Sequence, residues 1–280
     1  MPGQARHDGW GWTAPGLPVR TAGVKITTYN VNGIKARLPR LLEYLDEADA
    51  DIVCLQELKA PDEAFPAMEI QARGYEAIWH GQKSWNGVAI LSRVGKPALR
   101  QVGLPGEPED DHSRYLEAEV GDLVVASLYL PNGNPVGTPK FDYKLRWMRR
   151  LQERARVLWA EERPVVLAGD YNVIPEDRDV FNADKVRDDA LIQPQTRAEW
   201  RALLAQGWTE AMRALHPDDV IYTFWDYQAG AWQRNLGFRI DHFLLSPPAA
   251  DRLQAAGVDK AFRGREKASD HAPTFIRLSA

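Results

Sequence analysis

The residues of this sequence best suited to chemistry stand where apolar runs stop. Pro164-Val165-Val166-Leu167-Ala168 reads as a strand covered on both faces, and it breaks off into Gly169-Asp170-Tyr171-Asn172, an acid and an amide separated by one tyrosine. Taken alone, that ending serves equally well as a turn closing the strand. The same habit recurs along the chain. Asn30 and Asn32, Glu57, Tyr129 and Asn132, Asp241, and Asp270 with His271 all stand at or just beyond apolar segments. In layered α/β folds ligand chemistry gathers at strand ends, so these residues form the candidate set.

Oxygen donors dominate that set. A hard divalent cation takes oxygens, keeps several waters, and is held by one or two carboxylates together with a substrate phosphate. Zinc would call for histidine or cysteine clusters, yet the 6 histidines show no i, i+4 pair and Cys54 is the single cysteine. Mg²⁺, with Mn²⁺ as a substitute, is therefore the expected cofactor. Asp241 lies inside Phe238-Arg239-Ile240-Asp241-His242-Phe243-Leu244-Leu245, where an unpaired carboxylate costs on the order of 1–3 kcal/mol. His271 is its natural partner, because a carboxylate that orients an imidazole also favours the protonated form, a cation able to meet a phosphate oxygen. Strand alternation turns His242 to the opposite face and leaves it structural.

These positions need a scaffold. Val24 to Val31 alternates and is β-branched, Arg37 to Ala48 carries leucines at helical spacing, and Asp51 to Leu55 is a second buried run, which together make a βαβ unit. Short strands follow at 75–80, 87–92, 115–120 and 123–130, spaced for hairpins and hence for a mixed sheet. Phe141 to Glu162 reads as a long helix, Val173 to Arg187 as a long irregular segment of the functional kind, and Thr196 to Gln206 as a helix stopped by Gly207. Val220 to Tyr227 and Phe238 to Leu245 look like a second hairpin, Pro247 to Gln254 like a short helix, and Thr274 to Leu278 like a last strand. Residues 1–23, rich in Gly and Pro without periodicity, read as a flexible leader ahead of a single catalytic domain over 24–280.

Composition narrows the function. With 280 residues and 44% hydrophobic content the chain can build a large core, and it has no run approaching the ~20 apolar residues of a membrane span. A formal charge of −4 disfavours indiscriminate coating of nucleic acid, so basic patches must be local. One cysteine and no apolar leader make a reducing cytoplasm the expected setting.

In order, Asn30-Val31-Asn32-Gly33, Leu55-Gln56-Glu57-Leu58-Lys59, Tyr129-Leu130-Pro131-Asn132, Gly169-Asp170-Tyr171-Asn172, Arg239-Ile240-Asp241 and Ser269-Asp270-His271 resemble the motif set of the exonuclease III family of abasic-site endonucleases, within the endonuclease/exonuclease/phosphatase superfamily. The resemblance covers residue 24 to about residue 278. It implies a four-layer α/β sandwich, two mixed β-sheets face to face and flanked by helices, with the site at one end of the sheets. It implies Mg²⁺-dependent hydrolysis 5′ to abasic sites in duplex DNA, with 3′-to-5′ exonuclease and 3′-phosphatase or phosphodiesterase activity, by a monomer. Glu57 then resembles the main metal ligand, with Asn30 and Asp270 beside it. Asp170 resembles the water-activating group, Asn172 the one that orients the water or the scissile phosphate, and His271 with Asp241 the phosphate-polarising pair. Tyr129, Asn32 and Asn132 resemble phosphate contacts, and Lys59 and Arg114 lie where they would meet DNA phosphates. Phe224, Trp225, Phe238 and Ile240 resemble the wall that receives an extruded abasic sugar. Leu58 departs from the threonine of the best-known members, and Phe238 from a tryptophan of some relatives.

Lys144, Arg146, Arg149 and Arg150 on the long helix read as a solvated face rather than a DNA-binding stripe. Lys83, Lys140, Arg178 and Lys267, beside the motif loops, are better placed for phosphates. A superfamily phosphatase or phosphodiesterase acting on RNA, inositol or lipid phosphates is the alternative, and a non-catalytic DNA-binding module a more distant one.

Overall fold

The alternating segment at the start of the domain forms β1, Val24–Asn30, in a computed structural model that describes residues 23–280. The leader expected over 1–23 lies, but for its last residue, outside the described residues. Helix α1 (Ile34–Glu47) carries the chain to β2 (Ile52–Gln56), which pairs parallel with β1 as a βαβ unit requires. After the short helix α2 (Ala67–Gln71), strands β3 (Glu76–His80) and β4 (Val88–Ser92) pair antiparallel. Strands β5 (Ala98–Val102), β6 (Tyr115–Val120) and β7 (Leu123–Tyr129) form a meander. Helix α3 (Pro139–Trp159) then crosses to β8 (Val165–Asp170), again parallel to its predecessor. Helix α4 (Pro194–Leu204), the two-residue strand β9 (Thr209–Glu210), α5 (Ala211–Leu215), β10 (Asp241–Leu245), α6 (Pro247–Ala250), β11 (Leu253–Val258) and β12 (Thr274–Leu278) complete the chain.

The strands make two mixed six-stranded sheets, ordered β11-β12-β1-β2-β4-β3 and β5-β6-β7-β8-β10-β9. Each has a central parallel pair, β1 with β2 or β7 with β8, flanked by antiparallel neighbours. Alternation distributes the apolar side chains even where every residue is apolar. Ile52, Cys54, Val166 and Ala168 face the seam between the sheets, while Val53 and Leu55 turn outward to α1 and Val165 and Leu167 to α3 and α4. Helix, sheet, sheet and helix are thus the four layers anticipated from the motif set. Gly169 is required by the closeness of β7, since a Cβ there would lie 2.0 Å from the Leu128 carbonyl oxygen.

Two local readings are corrected. The segment 220–227 does not form a hairpin with 238–245. It touches Phe238 and His271 through single bridges at Phe224, and β10 pairs instead with β8 and β9. Helix α6 ends at Ala250, and the residues after it enter strand β11, an edge strand of the first sheet.

Candidate active site

Register brings the candidate residues together. Asn30 at the end of β1 lies opposite Gln56 on β2, which delivers Glu57 one residue beyond; Asp170 at the end of β8 lies between Tyr129 of β7 and Asp241 of β10. Asn30 joins the two sheets, its side-chain amide donating to Glu57 Oε1 at 2.9 Å and to Asp170 Oδ2 at 3.0 Å. Its own Oδ1 accepts the Asn32 backbone N–H. Asn30 therefore positions two carboxylates with its nitrogen.

The loops that follow the strands are strained at several of the candidate residues. Asn32, Glu57, Lys59 and Asn172 have φ of 46°, 52°, 50° and 48°, left-handed values that cost a non-glycine residue roughly 1–3 kcal/mol. Neighbouring backbone holds them there. Gly33 and Ile34 donate to the carbonyls of Glu57 and Leu58, and Leu58 and Lys59 donate to those of Gly87 and Asn86.

The acids differ in proton affinity. Burial raises the Glu57 carboxyl, but the Lys59 ammonium 2.8 Å away, the Asn30 amide and the Tyr129 hydroxyl outweigh it and hold Glu57 below its ordinary value. Asp170 is 1% exposed, and burial, assisted by Asp241 and Glu57 and opposed by His271, pushes it up to about 7. For His271 burial favours the neutral ring, yet Asp241, with Oδ2 2.9 Å from Nδ1, and Asp170, 3.7 Å from Nε2, prevail and raise it to about 10. The Asp241 to His271 pair is thus the one anticipated, and the imidazole is cationic at neutral pH. Tyr129 stays protonated, its pKa raised by burial and by the negative charges of Glu57 and Asp170. The Arg114 guanidinium lies 4.7 Å from the Tyr129 ring centre and donates to its carbonyl at 3.2 Å.

Asn172 donates to the Leu130 carbonyl at 2.9 Å and accepts from the Asn132 amide at 3.2 Å, while its backbone N–H donates to Asp170 Oδ1 at 2.9 Å. Asn32 donates to Asp270 Oδ1 at 3.1 Å and accepts from Lys59 at 2.6 Å. Glu57, Asp170, Asp270 and His271 all line one cleft of about 490 Å³, along with Tyr129, Asn132 and Asn172. A second cleft of about 590 Å³ shares Tyr129 and Asn132 with the first and is lined by Trp85, Arg114 and Lys140. Trp85 is 69% exposed.

Phe224, Phe238 and Ile240 form part of the apolar wall of the first cleft, but Trp225 does not. One residue along an extended backbone, its ring turns the other way, donates to Asn235 Oδ1 at 3.1 Å and lines a separate cleft with Lys260. The wall also contains Phe181, Val186, Leu191 and Leu236, which no spacing marked. The first two belong to the long segment 173–187 that its length alone had marked as functional. That segment is held by the buried Arg239, which donates to Asp179 Oδ1 at 2.8 Å and Oδ2 at 3.1 Å. His242 is structural as expected, packed on Trp200 and contacting the Val173 carbonyl.

The residues fit a hard cation. Among the described residues, Asp170, Asp241 and His271 place ligand atoms within 4.8 Å of one another, but a protonated, acid-paired imidazole has no lone pair to give. Glu57, held ionised, and Asp270 line the same cleft and offer it carboxylate oxygens. Among the described residues the buried Asp241 Oδ1 has no hydrogen-bond partner.

Residues 27–271 match the Endonuclease/Exonuclease/phosphatase family. The chain is 33% identical over 267 residues to exodeoxyribonuclease III of Haemophilus influenzae, covering 91% of this chain and all of that protein. It is 35% identical to an AP endonuclease structure from Archaeoglobus fulgidus, with a TM-score of 0.88 over 92% of this chain and 100% of the other. A 3′-5′ exonuclease from Neisseria meningitidis is 38% identical, with a TM-score of 0.89 over 92% of this chain and 100% of the other. A Neisseria 3′ phosphatase solved with a product DNA hairpin matches equally well, at 38% identity, a TM-score of 0.89 and the same coverage of both chains.

Proposed function

The chain belongs to the exonuclease III group of the Endonuclease/Exonuclease/phosphatase family, and from that premise we propose that it is a Mg²⁺-dependent DNA repair nuclease that cleaves the phosphodiester 5′ to abasic sites in duplex DNA. Residues 24–280 act as one catalytic domain, as a monomer in the cytoplasm, and the same cleft accepts 3′ ends for 3′-to-5′ exonuclease and 3′-phosphatase or phosphodiesterase cleavage. The observation that carries this reading is the convergence of Glu57, Asp170 and His271 on one cleft, with three different proton affinities.

Asp170, with a pKa near neutrality, takes the proton of the attacking water, which general-base catalysis makes worth ~10²–10⁴-fold. Asn172, fixed through Leu130 and Asn132, turns an amide toward the same oxygen. The His271 cation donates to a non-bridging phosphate oxygen as negative charge grows there, while Asp241 keeps the ring oriented. As the water oxygen bonds to phosphorus the bond to the 3′ oxygen breaks; that oxygen takes up a proton from solvent to become the 3′-hydroxyl, and the phosphate stays on the 5′ oxygen. Mg²⁺, or Mn²⁺ in its place, held by Glu57 and Asp270, supplies neutralisation of phosphate charge when bound. Phe224, Phe238 and Ile240, with Phe181, offer an apolar wall that admits a sugar lacking its base. Arg114 and Lys140, beside Trp85 in the adjoining cleft, are placed to meet the flanking backbone.

A duplex bearing one abasic analogue, incubated with the protein and Mg²⁺, is expected to be nicked 5′ to the lesion with a 3′-hydroxyl product, and chelation should stop the reaction. Inositol phosphates turned over faster than this duplex would transfer the site to a phosphatase reading.

A further inference from the structure

Helix α3 buries a regular apolar stripe, Phe141, Trp147, Met148, Leu151, Ala155 and Leu158, and one lysine stands in it. Lys144 is 0% exposed. A buried ammonium is expensive, and an apolar residue of similar volume at such a position is often neutral or stabilising. The charge therefore calls for a purpose other than holding the core together. Its contacts indicate one. Nζ donates to the Pro131 carbonyl at 3.0 Å and to the Asn172 carbonyl at 2.7 Å, so a single ammonium clasps the loop after β7 and the loop after β8. Asn132 is the residue after the first carbonyl and Asn172 owns the second, and their side chains are bonded to each other at 3.2 Å. Gly133 leaves room for the lysine stem, because a Cβ there would lie 2.5 Å from Lys144 Cδ.

We propose that Lys144 is a positioning residue of the nuclease site: its buried ammonium ties two backbone carbonyls and thereby fixes the amides of Asn132 and Asn172 toward the cleft. The inference rests on the nuclease reading above. The lysine touches neither the cleft surface nor a candidate metal ligand, and it acts only through the two loops. Burial lowers its pKa to about 7, opposed by Asp170 and Asp189, and the neutral amine keeps the two N–H groups that the two carbonyls take, so the clasp does not depend on the charge.

The test compares Lys144→Met, which keeps the stem and removes the ammonium, with Lys144→Arg, which restores donors, on the abasic duplex. Misplaced groups in a site cost up to ~10²-fold, so Lys144→Met should lower kcat by about 10–100-fold with KM little changed, and Lys144→Arg should recover part of it. Leu151→Ala, further along the same buried stripe, serves as a control that loses stability and keeps kcat. Lys144→Met turning over within about twofold of the unmodified protein would overturn the proposal, as would a loss matched by Leu151→Ala. Should Lys144→Met fail to fold, Gly133→Ala displaces the stem instead, and the same fall in kcat is expected; unchanged kcat there counts against the clasp. Hydrogen exchange of Leu130 and Asn172, whose N–H groups bond Asp170, keeps the two readings apart. If the unmodified protein leaves the duplex intact the nuclease reading fails, while faster exchange at those two amides in Lys144→Met would still support the clasp and unchanged exchange would refute it.

Discussion

Glu57 and Asp170 occupy corresponding places in the two halves of the molecule and are made to behave as opposites. Each stands at the carboxyl end of the second strand of a parallel pair, β2 beside β1 and β8 beside β7, and each pair is joined by a helix on its outer face. Asp170 is still inside its sheet, in register with Tyr129 on one side and Asp241 on the other, and burial there penalises its charge. Glu57 lies one residue past its strand, in a left-handed turn beside the Lys59 ammonium, and its charge is favoured. One residue of register and one neighbouring cation thus separate a group suited to hold a metal from a group suited to take a proton. Asn30 touches both, so the two carboxylates are fixed relative to each other by a single amide. Pairs of acids whose surroundings drive their proton affinities apart are how one site assigns base and ligand at a single pH.

The contrast can be broken from either side. Asp170→Asn should cost the most, lowering the nicking rate by ~10²–10⁴-fold, while duplex binding stays within a few-fold. Single-turnover cleavage alongside a binding titration checks this, and near-normal turnover would remove Asp170 from the proton-accepting role. Glu57→Gln should cost less at saturating Mg²⁺ and more below it, raising the Mg²⁺ concentration for half-maximal cleavage by about 10–100-fold. An unchanged Mg²⁺ requirement would place the cation elsewhere in the cleft.

Much of this was legible in the sequence because it depends on where apolar runs end. The strands that carry Asn30, Glu57, Tyr129, Asp170 and Asp241 show themselves by composition, and the pairing of Asp241 with His271 follows from the cost of an unpaired buried acid. What local pattern could not supply was pairing between distant segments. The run 220–227 looks like a partner for β10, yet β10 takes β8 and β9, and Phe224 reaches Phe238 and His271 only through single bridges. Strand β5 escaped notice because it is an edge strand whose Leu99 and Val102 are exposed and give no alternation. Phe181, Val186 and Leu191 of the segment 173–192 reach the cleft through irregular backbone that has no period to read. Two misplacements could have been avoided. Alternation already places Trp225 opposite Phe224, and the spacing of Phe141, Lys144, Met148 and Leu151 already places Lys144 on the buried face of its helix rather than on a solvated face. On the same helix Arg149 pairs with Glu199 at 2.8 Å and Arg150 with Asp110 at 2.6 Å.

The central claim is the division of labour between the two strand-end carboxylates, and it is open to direct measurement. Carboxyl carbon resonances of Asp170 and Glu57, followed by NMR through a pH titration of the metal-free protein, should show Glu57 already ionised at pH values where an ordinary glutamate is half-protonated and Asp170 gaining its charge only near pH 7. Asp170 ionising at lower pH than Glu57 would contradict the account.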